Sequence, residues 1–221
     1  MNDAGVLRAT SVNVRYRDVV AVRDVTLEVR PGQLVAVTGP SGAGKTSLLN
    51  ALAGIVTPAE GAVSCGGQAV GRRADAVERG IVLIPQGNAL AAVLTALENV
   101  AMPLLARAAL VEGAHDAALA ALAAVGVDEA ADQLIDELSG GQQQRVAVAR
   151  GIAQQGAALL ADEPTSELDS GNRTRVMDVL ASEVRRGAAV VMATHDPETA
   201  DLCDAELRLD EGVATWIRDD R

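Results

Sequence analysis

The chain has 221 residues, 49% of them hydrophobic, and a formal net charge of −11. A chain of this length and composition can bury a substantial core, as one compact unit or as two closely packed subdomains. Its arginines are scattered, and the acidic balance disfavours direct binding of nucleic acid. The most hydrophobic helical segment, 114–127, contains His115 and Asp116, so we expect a packed helix there and no membrane span.

The N-terminal residues predict a cytoplasmic protein, and the cysteines are expected to be buried thiols. Residues 1–5 carry neither the basic region nor the apolar region of a secretory leader. Cys65 and Cys203 are the only cysteines, and neither lies in a CxxC or Cys/His spacing. Buried thiols are therefore favoured over a disulfide or a metal site.

The first third of the chain predicts mainly strands. Apolar alternation indicates strands over 7–14 and 20–29, which should pair antiparallel across a turn at 17–18. Further elements are expected in chain order: a buried strand at 34–38, a helix at 47–53, a short hairpin at 61–67 and a buried strand at 80–84.

Helix signals dominate from 88 to 153, with breaks expected near Pro103, Gly113 and Gly126. Strands and helices then alternate: a strand at 157–161, a helix at 170–186, a strand at 188–194, a helix at 197–203 and a closing hairpin of 205–209 and 213–217. This alternation predicts parallel strands joined by crossover helices.

Residues 39–46 read Gly-Pro-Ser-Gly-Ala-Gly-Lys-Thr, a complete Walker A loop. Its glycines let several backbone N–H groups turn towards one anion, and the following helix adds the positive end of its dipole. Lys45 is the only lysine of the chain; it would reach the β- and γ-phosphates, and the Thr46 hydroxyl would ligate Mg²⁺. The plain alternative is a glycine-rich turn with a solvated lysine. The expected nucleotide-binding set is Gly39, Pro40, Ser41, Gly42, Ala43, Gly44, Lys45, Thr46 and Ser47.

Two adjacent acids, Asp162 and Glu163, end the apolar run 158–161. Ligands bind at the ends of strands in α/β sheets, so Asp162 can hold the Mg²⁺ shell while Glu163 faces the γ-phosphate. A carboxylate there can orient or deprotonate the attacking water. The alternative is that both acids are solvated caps of the strand.

Residues 138–145 read Leu-Ser-Gly-Gly-Gln-Gln-Gln-Arg. Ser139 would cap a helix, and two glycines permit close backbone approach, which makes a second anion site at a helix start. The run resembles the signature motif of ATP-binding-cassette (ABC) ATPases; an ordinary Ser-capped helix is the alternative. The residues expected to bind nucleotide here are Ser139, Gly140, Gly141 and Gln142.

The resemblance covers nearly the whole chain, because further motifs follow in family order. Tyr16 matches the aromatic residue that stacks on adenine, Gln86 matches the Q-loop glutamine, 166–169 matches the D-loop and His195 matches the switch histidine. Each has a plain alternative. Tyr16 could be a half-buried strand residue, Gln86 a solvated loop residue and His195 a structural histidine. For Asp169, at the end of the D-loop, we expect a helix N-cap as well.

The resemblance also implies roles for these residues. It assigns catalysis to Glu163, His195, Lys45 and Gln86. It assigns the Mg²⁺ shell to Thr46, Gln86 and Asp162. ATP and Mg²⁺ are therefore the expected cofactors.

The fold that the resemblance implies is α/β, a P-loop NTPase (RecA-like) core with a mainly parallel sheet, an N-terminal antiparallel β-subdomain and an inserted α-helical subdomain. The whole chain, 1–221, would form one ABC nucleotide-binding domain. The core and the β-subdomain would take 1–86 and 154–221, and the helical subdomain would take 87–153.

The implied function is ATP hydrolysis coupled to transport. ATP would hold a head-to-tail homodimer together, in which Lys45, Thr46, Asp162 and Glu163 of one subunit face Ser139, Gly141 and Gln142 of the other. A transmembrane permease would dock near the Q-loop, and membrane contact would occur only through it, on the inner face of the cell membrane. No nucleic acid is expected as a partner.

Residues 94–104, which follow Gln86, look like the ATPases of lipoprotein-release, macrolide-export and cell-division-type transporters. The chain departs from these relatives at Asn88 and at Ala91 or Ala92, where an aromatic residue and a proline are common, and at Glu167, where the D-loop usually has a small residue. Alternative functions are a soluble cassette protein acting on translation or chromosomes, a regulatory module that dimerises on ATP without turnover, and a P-loop kinase. The kinase would have no use for the signature run.

Overall fold

The computed structural model describes residues 5–106 and 111–219. Residues 1–4, on which the expectation about a leader depends, lie outside that range, as do 107–110 and 220–221. Within the described residues no helix is long and apolar enough to cross a membrane.

The described residues form ten strands, seven α-helices and two short 3-10 turns. The strands are β1 Leu7–Tyr16, β2 Val19–Val29, β3 Leu34–Thr38, β4 Glu60–Cys65, β5 Gln68–Ala69, β6 Ile81–Ile84, β7 Ala158–Asp162, β8 Ala189–Ala193, β9 Ala205–Asp210 and β10 Val213–Arg218. The helices are α1 Lys45–Leu52, α2 Arg73–Glu78, α3 Ala96–Leu105, α4 Ala114–Ala124, α5 Gly140–Ile152, α6 Ser170–Arg186 and α7 Pro197–Ala200. The 3-10 turns are Asp128–Ala130 and Ile135–Glu137.

The strands lie side by side in the order β5-β4-β1-β2-β10-β9-β3-β8-β7-β6. Strand β3 pairs in parallel with β8 and β9, and β7 pairs in parallel with β8, which confirms the predicted parallel strands. The predicted antiparallel pair of β1 and β2 and the closing hairpin of β9 and β10 are confirmed as well. Strand β10 meets β2 in parallel at Val213 and Arg23.

The described residues fall into two compact units. Unit 1 takes those within Met1–Leu83, Gly156–Glu163 and Glu183–Arg221, and unit 2 takes Ile84–Gln155 and Pro164–Ser182. The D-loop and most of α6 thus group with the helical segment that precedes β7. The domain boundaries expected from the sequence remain a prediction.

Unit 1 has its core on the sheet. Every residue of β3, β7 and β8 is buried, as expected for parallel strands covered on both faces, which read as unbroken apolar runs. Helix α1 adds Leu48, Leu49 and Leu52, all fully buried, to this core. The ends of these buried strands and the start of α1 are where the candidate site residues of unit 1 lie.

Unit 2 packs α3, α4 and α5 against one another. Val100 and Leu104 of α3, Leu122 of α4 and Val146 and Val148 of α5 are almost fully buried. Helix α5 thereby has one buried apolar face, and the candidate site residue Ser139 caps its first turn.

The break expected near Pro103 falls two residues after it, the end of one predicted helix was wrong, and one helix was not predicted. Helix α3 continues through Pro103 to Leu105; only two helical residues follow the proline, so its missing N–H costs one bond near the helix end. Helix α7 ends at Ala200 instead of 203, because Asp204 pairs with Leu34, donating from its N–H and accepting at its carboxylate at 2.7 Å. Helix α2 was missed because it has six residues, too few for a helical period to appear.

Candidate active site

The loop between β3 and α1 depends on glycines where it passes close to other backbone. Gly39 has φ 139°, and a Cβ built there would collide with the carbonyl oxygen of Leu209. Gly44 has φ 107°, and its Cβ would collide with the carbonyl oxygen of Ala21. No other residue type fits this path, which turns the loop tightly around the start of α1.

Lys45 is held inside this loop. Its Nζ donates to the carbonyl oxygens of Gly39 at 2.8 Å and Pro40 at 3.2 Å, and it lies 3.7 Å from Oε1 of Glu163. The side chain is 8% exposed. The ammonium is therefore positioned at the loop by backbone carbonyls, which a phosphate could replace as acceptors.

The C-terminal hairpin supports the loop from the other side. The Thr38 hydroxyl, directly before Gly39, donates to Oε1 of Glu206 at 2.7 Å. The Gly212 N–H donates to the carbonyl oxygen of Ala43 at 3.0 Å. Sequence reasoning gave this hairpin no role, and no local signal could have revealed one, because the partners of Thr38 and Ala43 lie far away in the chain.

Asp162 ends β7 as an almost fully buried carboxylate, 4% exposed. Burial raises its pKa, as does the charge of Glu163, while a hydrogen bond with the Thr46 side chain and the charge of Lys45 oppose the rise. Its Oδ1 atom has no hydrogen-bond partner among the described residues. A buried carboxylate oxygen without a donor, beside a hydroxyl, is suited to a hard divalent cation.

Mg²⁺ fits this pair of residues. It is commonly bound through one or two protein groups, with substrate phosphates and waters completing its shell. The described residues contain no cluster of three or more His, Cys, Asp or Glu side chains that could hold a metal by themselves. Thr46 and Asp162 thus resemble a site that is completed by a phosphate ligand.

Glu163 lies directly after β7, and its carboxylate contacts Lys45 and His195. Its Oε2 lies 2.9 Å from Nδ1 of His195, and its Oε1 lies 3.7 Å from Nζ of Lys45. When Glu163 is ionised, the His195 ring must donate from Nδ1. The Glu163 side chain is 9% exposed, whereas that of His195 is 63% exposed. The carboxylate is thus buried at the site while the imidazole lies at its rim.

Tyr16 lies at the end of β1, opposite Val19 in the turn of the first hairpin. It is 44% exposed, so its ring is accessible. Exposure is what stacking on a base requires, and it weakens the alternative of a half-buried strand residue. Its role in adenine binding remains a prediction.

The signature motif begins α5 in unit 2. The Ser139 hydroxyl accepts from the Gln142 N–H at 3.3 Å and donates to Gln142 Oε1 at 2.9 Å, and the Ser139 N–H donates to the same oxygen at 2.9 Å. A capping box therefore satisfies the N–H groups of Ser139 and Gln142 within the chain itself. Gly140 and Gly141 follow in the first turn, with the D-loop beside them: a Cβ built on Gly140 would lie 2.7 Å from Oε2 of Glu167.

The D-loop is held by a buried glutamine that sequence reasoning missed. Gln144 donates from Nε2 to the Ser166 hydroxyl at 3.1 Å and accepts from the Glu167 N–H at 3.0 Å. Asp169 accepts from the Asn172 N–H at 2.9 Å, as an N-cap of α6 does. It also accepts from the Asn172 side chain, and these two hydrogen bonds lower the pKa of the Asp169 carboxyl. Gln144 lies within the signature motif, and that position was the only sequence signal that could have pointed to it.

Gln86 is exposed and belongs to unit 2, two residues after β6. Gly87, Asn88 and Ala89 follow it with φ values of 76°, 64° and 48°. Within unit 1, Glu163 contacts Lys45 and His195, and Asp162 hydrogen-bonds the Thr46 side chain beside them. Within unit 2, Ser139 and Gln142 hydrogen-bond each other at the start of α5. The catalytic and metal roles assigned to these residues and to Gln86 remain predictions.

Residues 22–166 match a protein-family model described as ABC transporter. The chain is 40% identical to the lipoprotein-releasing system ATP-binding protein LolD of Chromohalobacter salexigens, over 96% of this chain and 93% of the relative. It is 36% identical to LolD of Pseudomonas syringae pv. tomato, over 96% of this chain and 98% of the relative.

Solved structures agree with these matches. A dimeric structure of the bacterial ABC transporter cassette MJ0796 has a TM-score of 0.88 and 31% identity, covering 96% of this chain and 99% of that one. A dimeric post-hydrolysis state of the same cassette, bound to ADP and Pi, has a TM-score of 0.87 and 30% identity.

These findings confirm the α/β P-loop NTPase fold and the predicted likeness to the lipoprotein-release group. They also confirm nucleotide binding and ATPase activity as the class of function. The chain belongs to the ABC transporter family, as an ATP-binding subunit that hydrolyses ATP.

Proposed function

We propose that this chain is one nucleotide-binding domain that hydrolyses ATP as a head-to-tail homodimer and drives a transmembrane permease of the lipoprotein-release type. The observation that carries the proposal is the cluster in unit 1, where Lys45, Asp162, Glu163 and His195 meet at the phosphate loop. The identity to LolD over 96% of the chain supports lipoproteins as the cargo class.

In the proposed mechanism, Lys45 turns from the carbonyls of Gly39 and Pro40 to the β- and γ-phosphates of ATP. Thr46 and Asp162, with Gln86, would hold Mg²⁺, which neutralises phosphate charge when bound. Asp162 suits this role because its Oδ1 atom is buried without a donor. Adenine stacks on Tyr16.

Glu163 acts as the general base. Its carboxylate takes a proton from water as the water oxygen attacks the γ-phosphorus, and the bond to the β,γ-bridging oxygen breaks to release ADP and phosphate. His195 holds the carboxylate by donating from Nδ1 over 2.9 Å. The intact contact of Glu163 and His195 favours an enzyme over a module that only dimerises.

The second half of each site comes from the other copy. Ser139, Gly140, Gly141 and Gln142 present a helix start to an anion, and in this chain the cap is already satisfied by Gln142. We infer that they contact the γ-phosphate held by the partner copy. Hydrolysis then removes the shared phosphate, and the dimer opens.

The permease is proposed to dock near Gln86 and the segment that follows it. The domain would lie on the inner face of the cell membrane and touch the membrane only through the permease. The dimeric state of the MJ0796 cassette supports the homodimer, and the name of LolD as part of a lipoprotein-releasing system supports the permease.

Replacing the base tests the proposal. Glu163→Gln should retain ATP affinity but lose nearly all turnover, since the amide keeps the shape of the side chain and cannot accept the proton. Size-exclusion chromatography with MgATP should show an accumulated dimer. The exposed Glu129→Gln variant is the matched control and should hydrolyse ATP at the parental rate. Normal turnover by Glu163→Gln would remove Glu163 from the role of base.

A further inference from the structure

Three consecutive residues after Gln86 have a backbone conformation that is costly for two of them. Gly87, Asn88 and Ala89 all have positive φ, and the Ala89 N–H donates to the Gly87 carbonyl oxygen at 2.7 Å, which closes a tight turn around Asn88. Left-handed backbone is unfavourable for an L-residue, more so for alanine than for asparagine. Such a turn persists only when neighbouring groups hold it.

Arg150, in the last turn of α5, is the group that holds this turn. Its Nη2 donates to the carbonyl oxygen of Asn88 and its Nη1 donates to that of Ala89, both at 2.6 Å. Burial lowers the pKa of the guanidinium. The planar guanidinium presents two donors in a fixed fork to two successive carbonyls, whereas a lysine ammonium is a compact point charge without that fixed geometry.

Asn99 of α3 holds the other end of the same segment. It is fully buried; its Oδ1 accepts from the Ala91 N–H at 2.8 Å, and its Nδ2 donates to the Ala91 carbonyl oxygen at 3.1 Å. The same Nδ2 lies within hydrogen-bond distance of the carbonyl oxygens of Leu94 and Thr95. Residues 88–95 are thus fixed by two side chains from helices α3 and α5, which pack together in unit 2.

Helix α5 joins this segment to the signature motif. Ser139 caps its first turn, and Arg150 lies in its last turn, about 15 Å further along at 1.5 Å per residue. Between them, Gln144 and Val146 to Ala149 are buried in unit 2, so the helix is packed from its second turn onwards and is continuous with its first turn. A displacement of its first turn should therefore appear at its last turn.

We propose that Arg150 is a positioning residue that makes the segment 87–91 move with the signature helix. The inference rests on the proposed function, since it takes the γ-phosphate of the partner copy as the group that displaces Ser139. When ATP displaces the first turn of α5, Arg150 at the last turn displaces the segment next to Gln86, where the permease is proposed to dock. No contact of Arg150 with nucleotide is involved.

Hydrogen exchange of the full chain without nucleotide tests the positional part. Arg150→Ala should speed exchange of the Ala89 and Ala91 amides about tenfold or more, since two charge-assisted bonds are lost. Arg150→Lys should give a smaller increase, because the ammonium keeps a charged donor near the two carbonyls but loses the fixed fork. Both variants should exchange the core amides of α3 and α4 at the parental rates, which verifies that they are folded. Parental exchange at 89 and 91 in Arg150→Ala would overturn the proposal.

Arg145→Lys is the matched control. Arg145 lies on the same helix and also donates to two backbone carbonyls, those of Val125 and Gly126. Its replacement should speed exchange near 126–127 and leave the Ala89 and Ala91 amides at parental rates. An equal effect of both variants on 89 and 91 would mean that general loosening of α5, and not the Arg150 fork, controls the segment.

Added MgATP tests the coupling part in the Glu163→Gln protein, which retains ATP. Exchange of the Gln142 and Gln143 amides should change with ATP whether or not Arg150 is present, while exchange at 87–91 should change only when it is present. If ATP still changes the exchange at 87–91 in the Arg150→Ala protein, the coupling role of Arg150 is contradicted, but the proposed function is not. Absence of any response at 142–143 with Arg150 intact contradicts the proposed function, and the coupling role with it.

Discussion

At the scale of single residues, Glu163 combines burial with a strained backbone. Its φ is 53°, its N–H donates to the Ala193 carbonyl oxygen at 3.0 Å, and its carboxylate contacts both His195 and Lys45. The bond to β8 and the two side-chain contacts hold a conformation that costs an L-residue about 1–2 kcal/mol. Strain of this kind is typical of residues that surrounding structure holds ready for chemistry.

Tyr16 gives a test at the same scale. Tyr16→Ala should weaken ATP binding several-fold or more, since base stacking on an aromatic residue contributes about 1–3 kcal/mol. Tyr16→Phe keeps the ring and should have a mild effect. Isothermal titration calorimetry with a non-hydrolysed ATP analogue measures both affinities. Equal affinity of the alanine variant and the parent would mean that Tyr16 is only a strand residue.

Glu167 places a negative charge where the account expects a phosphate. Its Oε2 lies against Gly140, in the first turn of the signature helix. A carboxylate stabilises that helix end in the free chain but repels an incoming γ-phosphate. Glu167→Gln in the Glu163→Gln background should therefore strengthen ATP-dependent dimerisation several-fold.

Analytical ultracentrifugation at low and high ionic strength measures this effect. The gain from Glu167→Gln should shrink at about 1 M salt, where charge interactions at a surface are screened within about 3 Å. The exposed Glu129→Gln variant should dimerise as the background does. Weaker dimerisation on removing the Glu167 charge would contradict the repulsion.

At the scale of elements, predictions succeeded where local sequence determines structure. The buried strands β3, β7 and β8 were predicted because covered parallel strands are unbroken apolar runs, and the ends of α6 were predicted because its apolar period is long. The end of α7 could not be predicted, because it depends on Asp204 pairing with Leu34, which is 170 residues away.

The candidate site divides in the same way. Lys45, Asp162, Glu163 and His195 could be singled out as candidates because their motifs are local. The contacts of Glu163 with Lys45 and His195 follow from strand ends meeting at one edge of the sheet. The support of the loop by Glu206 and the hold of Arg150 on Asn88 could not be predicted, since neither partner has a distinctive local pattern. Motifs therefore point to the residues proposed to meet substrate more readily than to those that position them.

The phosphate loop offers a test of close packing between elements. Gly44→Ala should lower the free energy of unfolding more than Gly42→Ala does, by about 1–3 kcal/mol of overpacking. Both glycines have positive φ, but a Cβ at Gly44 collides with the Ala21 carbonyl while a Cβ at Gly42 meets nothing within 4 Å. Urea unfolding of both variants gives the difference. Equal destabilisation would mean that backbone conformation alone, and not the approach of β2, requires Gly44.

At the scale of the whole molecule, the chain carries two elements that we propose bind phosphate. The phosphate loop belongs to unit 1 and the signature motif belongs to unit 2. In the proposed dimer each ATP meets the phosphate loop of one copy and the signature motif of the other. Catalysis is then a property of two copies, and the membrane partner responds to their closing and opening.

Mixing two inactive variants tests this shared catalysis most directly. Lys45→Ala subunits should fail to bind nucleotide, and Ser139→Arg subunits should fail to complete the site of their partner, so each should be nearly inactive alone. In a mixed dimer one composite site carries both lesions and the other is intact. ATPase activity should therefore reappear on mixing, at a level below that of the parent, because homodimers persist and only one site of each heterodimer is whole. Normal ATPase activity of Ser139→Arg alone, at every protein concentration, would contradict the head-to-tail account.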